Sequence, residues 1–155
     1  MTAVRISWRD AVAWALRLGL GGLLAVAGLL KLRDPSGFAV EIANYQLLPA
    51  LAAYPAAILP ATELVLGLSL IAAPAPWRRA ATVGVGILFV LFTIAVGSAY
   101  ARGINIACGC FGGGGAAIGA LTLVRNLALL LGIAALWTLD GARRRLPPAA
   151  PAQPS

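Results

Sequence analysis

The stretch Leu18-Gly19-Leu20-Gly21-Gly22-Leu23-Leu24-Ala25-Val26-Ala27-Gly28-Leu29-Leu30 decides the fold class. A half-buried strand alternates apolar and polar residues with period two, and a helix on a water-soluble core keeps a polar stripe. This run does neither. It is apolar at every angle around a helix axis, as a helix in lipid is, where every backbone group must be satisfied within the segment. Val83 to Val96 reads the same way, interrupted only by Thr93. Extending outward gives spans at about 11–32, 51–73, 80–100 and 118–139, each near the roughly 20 residues needed to cross the hydrocarbon. The expected fold is therefore all-α, a four-transmembrane-helix bundle.

Composition agrees. The 155 residues are 61% hydrophobic and 11% charged, with a mean hydropathy of +0.90. So few charges do not cover the surface of a water-soluble globule, and disorder or nucleic-acid binding does not suit so apolar a chain. The expected organisation is a cytoplasmic N-terminus over 1–10, the transmembrane domain over 11–139 and a disordered tail over 140–155, whose end is rich in Pro and Ala. Arginines precede the first span as in a signal peptide, but no small-x-small cleavage site leads into a polar region, so the span reads as retained.

Orientation follows from where the cations fall. Arg5, Arg9, Arg78, Arg79, Arg143, Arg144 and Arg145 lie on the side of the termini, against Lys31, Arg33 and Arg102 on the other. This puts both termini in the cytoplasm of a bacterial inner membrane and two loops outside. Trp8, Trp14, Trp77 and Trp137 flank the inner ends of the spans, and Tyr45, Tyr54 and Tyr100 the outer ends. The first outer loop opens with Asp34-Pro35, an N-cap followed by proline at the first helical position. Phe38, Ile42 and Tyr45 then recur at helical spacing, which predicts a short periplasmic helix at the membrane surface.

The second outer loop holds the only cysteines, in Ala107-Cys108-Gly109-Cys110-Phe111-Gly112. Outside the inner membrane a disulfide persists, whereas cytosolic thiols are kept reduced. Gly109 permits the backbone angles that bring two such close Cβ atoms together. A bridge across so small a ring is strained and labile, the type that exchanges with an incoming thiolate. As a staple it constrains little chain. As a metal site it offers two soft ligands in a chain with no histidine and a single methionine, too few to complete a shell, so no metal is expected.

Three ionisable residues fall within the spans: Arg17, Glu63 and Arg125, the last followed by Asn126. Such groups are costly in lipid and face the bundle interior with a partner. By helical rise Glu63 lies roughly 16–18 Å below the outer end of its span and Arg125 roughly 10 Å below that of its own, a gap that arginine bridges. Glu63 and Arg125 are thus an ion pair that fixes neighbouring helices, the head-group pocket of a quinone, or part of a transport pathway. Arg17 lies deeper and is expected to snorkel to the inner interface. Pro60 removes one intrahelical hydrogen bond just before Glu63. Gly21, Gly28, Gly84 and Gly97 are expected to allow close helix packing.

Taken in order, Lys31-Leu32-Arg33-Asp34-Pro35, Tyr45-Gln46-Leu47-Leu48-Pro49, Glu63 with Gly67, Cys108-Gly109-Cys110-Phe111-Gly112 and Arg125-Asn126 resemble the MauE branch of the MauE/DoxX membrane proteins, over about 17–139. The resemblance implies an inner-membrane protein of methylamine utilisation that supports maturation of the disulfide-rich small subunit of methylamine dehydrogenase, with a periplasmic thioredoxin-like partner. Unlike DsbB-type disulfide generators the chain lacks a second cysteine pair, so any relay runs straight from Cys108 and Cys110 to a quinone or another protein. The alternatives are a non-enzymatic membrane scaffold for enzyme assembly and a DoxX-like subunit of a quinone-linked oxidoreductase.

Overall fold

In the computed structural model, which describes residues 7–47, 49–104 and 119–142, the chain forms five α-helices and one short 3-10 turn. These are α1 (Trp8–Arg33), α2 (Pro35–Asn44), the turn Pro49–Leu51, α3 (Ala53–Ala72), α4 (Ala75–Ala101) and α5 (Ala120–Ala142). No strand occurs among the described residues. The helices α1, α3, α4 and α5 are long and apolar enough to cross a membrane, in agreement with the four-span expectation.

Successive long helices run antiparallel. Gly21 faces Gly67, and seven residues on, Gly28 faces Pro60 seven residues back. Gly86 likewise lies near Ile133 and Gly97 near Leu123. This up-and-down order gathers Trp8, Trp77 and Trp137 at one end of the bundle and Tyr45, Tyr54 and Tyr100 at the other.

The buried residues of α1 include Ala13, Arg17, Leu20, Leu24, Ala27 and Lys31, and those of α3 are Ala56, Pro60, Glu63, Gly67 and Leu70. Both sets repeat at alternating steps of three and four, the seam of two helices packed at a shallow angle. Of the glycines expected to permit packing, Gly21 and Gly28 do so against backbone. A Cβ on Gly21 would stand 2.7 Å from the Gly67 carbonyl oxygen, and one on Gly28 2.6 Å from that of Pro60. Gly84 admits the Leu66 side chain, while Gly97 makes only ordinary contact.

The core is built from Leu20, Leu24, Leu70, Val85, Leu88, Phe89, Ile133 and Leu136. The outside is apolar too: Leu121 is 82% and Leu131 72% exposed, with Ile58, Val65, Ile87 and Ile94 also turned outward. Water tolerates no such continuous surface, but lipid is its natural neighbour.

The predicted cap at the start of α2 forms. Asp34 Oδ1 accepts from the Gly37 amide and the Ser36 hydroxyl, both at 2.8 Å, and Pro35 takes the first helical position. The Gly37 amide, and after it the Ser36 hydroxyl, hold the exposed Asp34 carboxyl below its ordinary value of 3.8. A folded value below the unfolded one means that the cap contributes fully above about pH 4 and is lost as pH falls through the lowered folded value. Hydrogen exchange at the Gly37 amide should therefore show protection at about pH 6 that is lost in the wild type as pH falls through the lowered Asp34 value. The Asp34→Asn variant, which caps without titrating, should keep its protection across that range.

The long helices exceed the expected spans at several ends. α5 continues through Asp140 to Ala142, where a tail had been expected from 140, because Asp140 is buried and ion-paired. The tail beyond 142 and the loop 105–118 lie outside the described residues.

Candidate functional site

Among the described residues, α1 contributes to two buried ion pairs. Arg17 Nη2 donates to Asp140 Oδ1 of α5, and Lys31 Nζ donates to Glu63 Oε1 of α3. Arg17 is 1% exposed, so it does not snorkel as expected; its partner Asp140 comes from the last turn of α5, and the Trp14 ring lies 5.4 Å from its guanidinium carbon. A buried partner removes the need to reach the interface.

Lys31 departs further from its sequence reading. Placed among the outer loop cations by position, it is 1% exposed. Helical side chains lean toward the N-terminus, so its ammonium reaches back over the turn holding Gly28. There the missing side chain lets α3 approach, and a Cβ at Gly28 would lie 3.4 Å from Glu63 Cβ. Phe38 of α2 and Phe92 of α4 complete the surroundings, their ring centroids 4.9 and 5.0 Å from Lys31 Nζ. One lysine thus joins α1 to α2, α3 and α4.

Glu63 and Arg125, read together from the sequence, line one cavity with Lys31, Phe89, Phe92 and Asn126. The carboxylate Oε1, however, is held by Lys31, and Arg125 is an exposed residue of α5. Beside Asp140, Lys31 is the residue that sequence reasoning missed. Its register would have found it, since it continues the buried series of 17, 20, 24 and 27, but an all-apolar helix hides which face is inside.

Arg102, the other cation before the cysteine loop, serves the fold. Its Nε donates to the Ser98 carbonyl at 3.1 Å and its Nη1 to that of Gln46 at 3.3 Å, while Nη2 donates to the carbonyl of Tyr45. The last two bonds satisfy carbonyls beyond the end of α2, where Gln46 takes φ 52°. Cys108 and Cys110 lie in 105–118, outside the described residues. No cluster of three metal-binding side chains occurs among the described residues.

Four apolar helices around buried ion pairs define a multi-pass α-helical membrane protein. Residues 9–139 match the family of methylamine utilisation protein MauE, and the chain belongs to that family. The methylamine utilization protein MauE of Paracoccus denitrificans is 35% identical over 121 residues, 76% of this chain and 64% of that protein's length. No solved structure matches.

Proposed function

We propose that the protein is a thiol-disulfide exchange protein of the bacterial inner membrane, with both termini cytoplasmic and Cys108 and Cys110 as its periplasmic reactive pair. The observation that carries this reading is the Cys108-Gly109-Cys110-Phe111-Gly112 run between the two last spans of a MauE family member. The distribution of cations supports the orientation: with Lys31 buried, Arg33 and Arg102 stand on the outer side against seven.

In the exchange a thiolate attacks one sulfur of a disulfide; that S–S bond breaks as a mixed disulfide forms, and the neighbouring thiol then displaces the attacked sulfur. Two electrons and two protons pass between the cysteine pair and its partner. The partner is a periplasmic thioredoxin-like protein, and the client is a disulfide-containing periplasmic protein such as the small subunit of methylamine dehydrogenase. A quinone held beside Glu63 and Arg125 would supply the two-electron, two-proton acceptor that returns the reduced pair to the disulfide.

Thiol trapping in intact cells tests this. A membrane-impermeant maleimide should label Cys108 and Cys110 only after reduction, without permeabilising the cells. The double variant Cys108→Ser/Cys110→Ser should abolish client maturation while leaving the amount of membrane-inserted protein unchanged. Maturation at the wild-type level in that variant rejects exchange and leaves the scaffold role, and labelling that needs permeabilised cells rejects the orientation.

A further inference from the structure

The Lys31–Glu63 pair leaves two polar atoms unsatisfied beside it. Glu63 Oε2, an acceptor, and Asn126 Nδ2, a donor, are buried without a hydrogen-bond partner, on residues 1% and 2% exposed. Both residues line one cavity between α1, α3, α4 and α5, about 40 Å³ in volume. Buried polar atoms in an apolar surrounding are satisfied by something. At roughly 10–15 Å³ for each water, the space suits about three water-sized groups.

We propose that this cavity is a hydroxyl-binding site, whose ligand donates an O–H to Glu63 Oε2 and accepts from Asn126 Nδ2. The charges select it. Lys31 and Arg125 on the lining oppose an alkylammonium ion, and an anion would meet the open oxygen of Glu63. A neutral group that both donates and accepts fits the two unsatisfied atoms. Water supplies such a group, and so does the hydroxyl of a membrane-soluble quinol. The cavity is far below the roughly 300 Å³ of a site that encloses a whole cofactor, so only the hydroxyl end of a quinol enters. Phe92 also borders a groove of about 480 Å³ beside Ile42, Tyr45 and Tyr54, which has room for a ring and its tail. The site stands whether or not Cys108 and Cys110 exchange disulfides.

Hydroxyl-radical footprinting of the full chain in nanodiscs of quinone-free lipid tests the proposal, because water bound inside a membrane protein makes adjacent buried rings oxidisable. Phe89, which lines the cavity and is 8% exposed, should oxidise at least about fivefold faster than in Asn126→Leu, which fills the space and removes the unsatisfied donor. Leu136, in the core away from the cavity, should be equal in both. Leu129→Phe fills the cavity from its apolar side and gives the same comparison should Asn126→Leu not fold. Decylubiquinol then separates the sources: suppressed oxidation at Phe89 assigns the site to quinol, and unchanged oxidation assigns it to water. Phe89 oxidation no faster in the wild type than in the cavity-filling variants shows a dry cavity and overturns the proposal.

Discussion

Glu63→Ala is expected to lower stability by about 3–5 kcal/mol, the usual consequence of leaving one member of a buried ion pair uncompensated. Lys31 would keep its place between the Phe38 and Phe92 rings, whose faces attract a cation but do not replace a carboxylate. The double variant Lys31→Met/Glu63→Leu should recover most of that loss, because a well-packed apolar pair has no charge to desolvate. Arg125→Ala should cost less than Glu63→Ala, since Arg125 is exposed on α5 while Glu63 is buried. Equilibrium unfolding in mixed micelles ranks the variants. Equal losses for Glu63→Ala and Arg125→Ala, with no rescue by the double variant, would reject Lys31 as the partner that matters.

The second large effect concerns glycine. Gly28→Ala and Gly67→Ala should each destabilise by about 1–3 kcal/mol, the range for overpacking a filled interior. In both, the added methyl group would stand 2.6 Å from a carbonyl oxygen of the facing helix. Backbone cannot turn away as a flexible side chain does, so α1 and α3 must separate, and Lys31 and Glu63 would part with them. Gly19→Ala and Gly22→Ala make the same chemical change where nothing lies within 4 Å. They should be neutral or gain up to about 1 kcal/mol from helix propensity. Thermal unfolding of the four variants in detergent checks the contrast, and uniform behaviour would show that the glycines have no packing role.

The two effects share a cause that bears on what a sequence reveals. The spans were legible because lipid imposes a length and forbids unsatisfied backbone. The cap at Asp34 was legible because capping is local, a matter of one side chain and the amides of the next turn. The ion pairs were not legible in this way. Glu63 was recognised as needing a partner and Arg125 as its nearest cation by depth along separate helices, but Lys31, which donates to Glu63 Oε1, was not. Depth estimates treat each helix as an independent rod. They omit the lean of side chains toward the N-terminus and the close approach at Gly28, which together bring an end-of-helix lysine down to a mid-helix carboxylate.

Amino-acid order by itself determined that the chain crosses a membrane, where its four long helices lie, how α2 begins and which two cysteines stand together. These properties depend on composition, on run length or on neighbours within one turn. Tertiary structure alone decided which face of each helix is inside, that Gly21, Gly28 and Gly67 meet backbone, that Arg17 joins Asp140, and that Lys31 closes on Glu63 beside a small polar cavity. In lipid an all-apolar helix carries no wet face to mark its opposite. The inner face is then set by where small residues let backbones approach and where buried charges find each other, and both conditions need two helices to be specified at once.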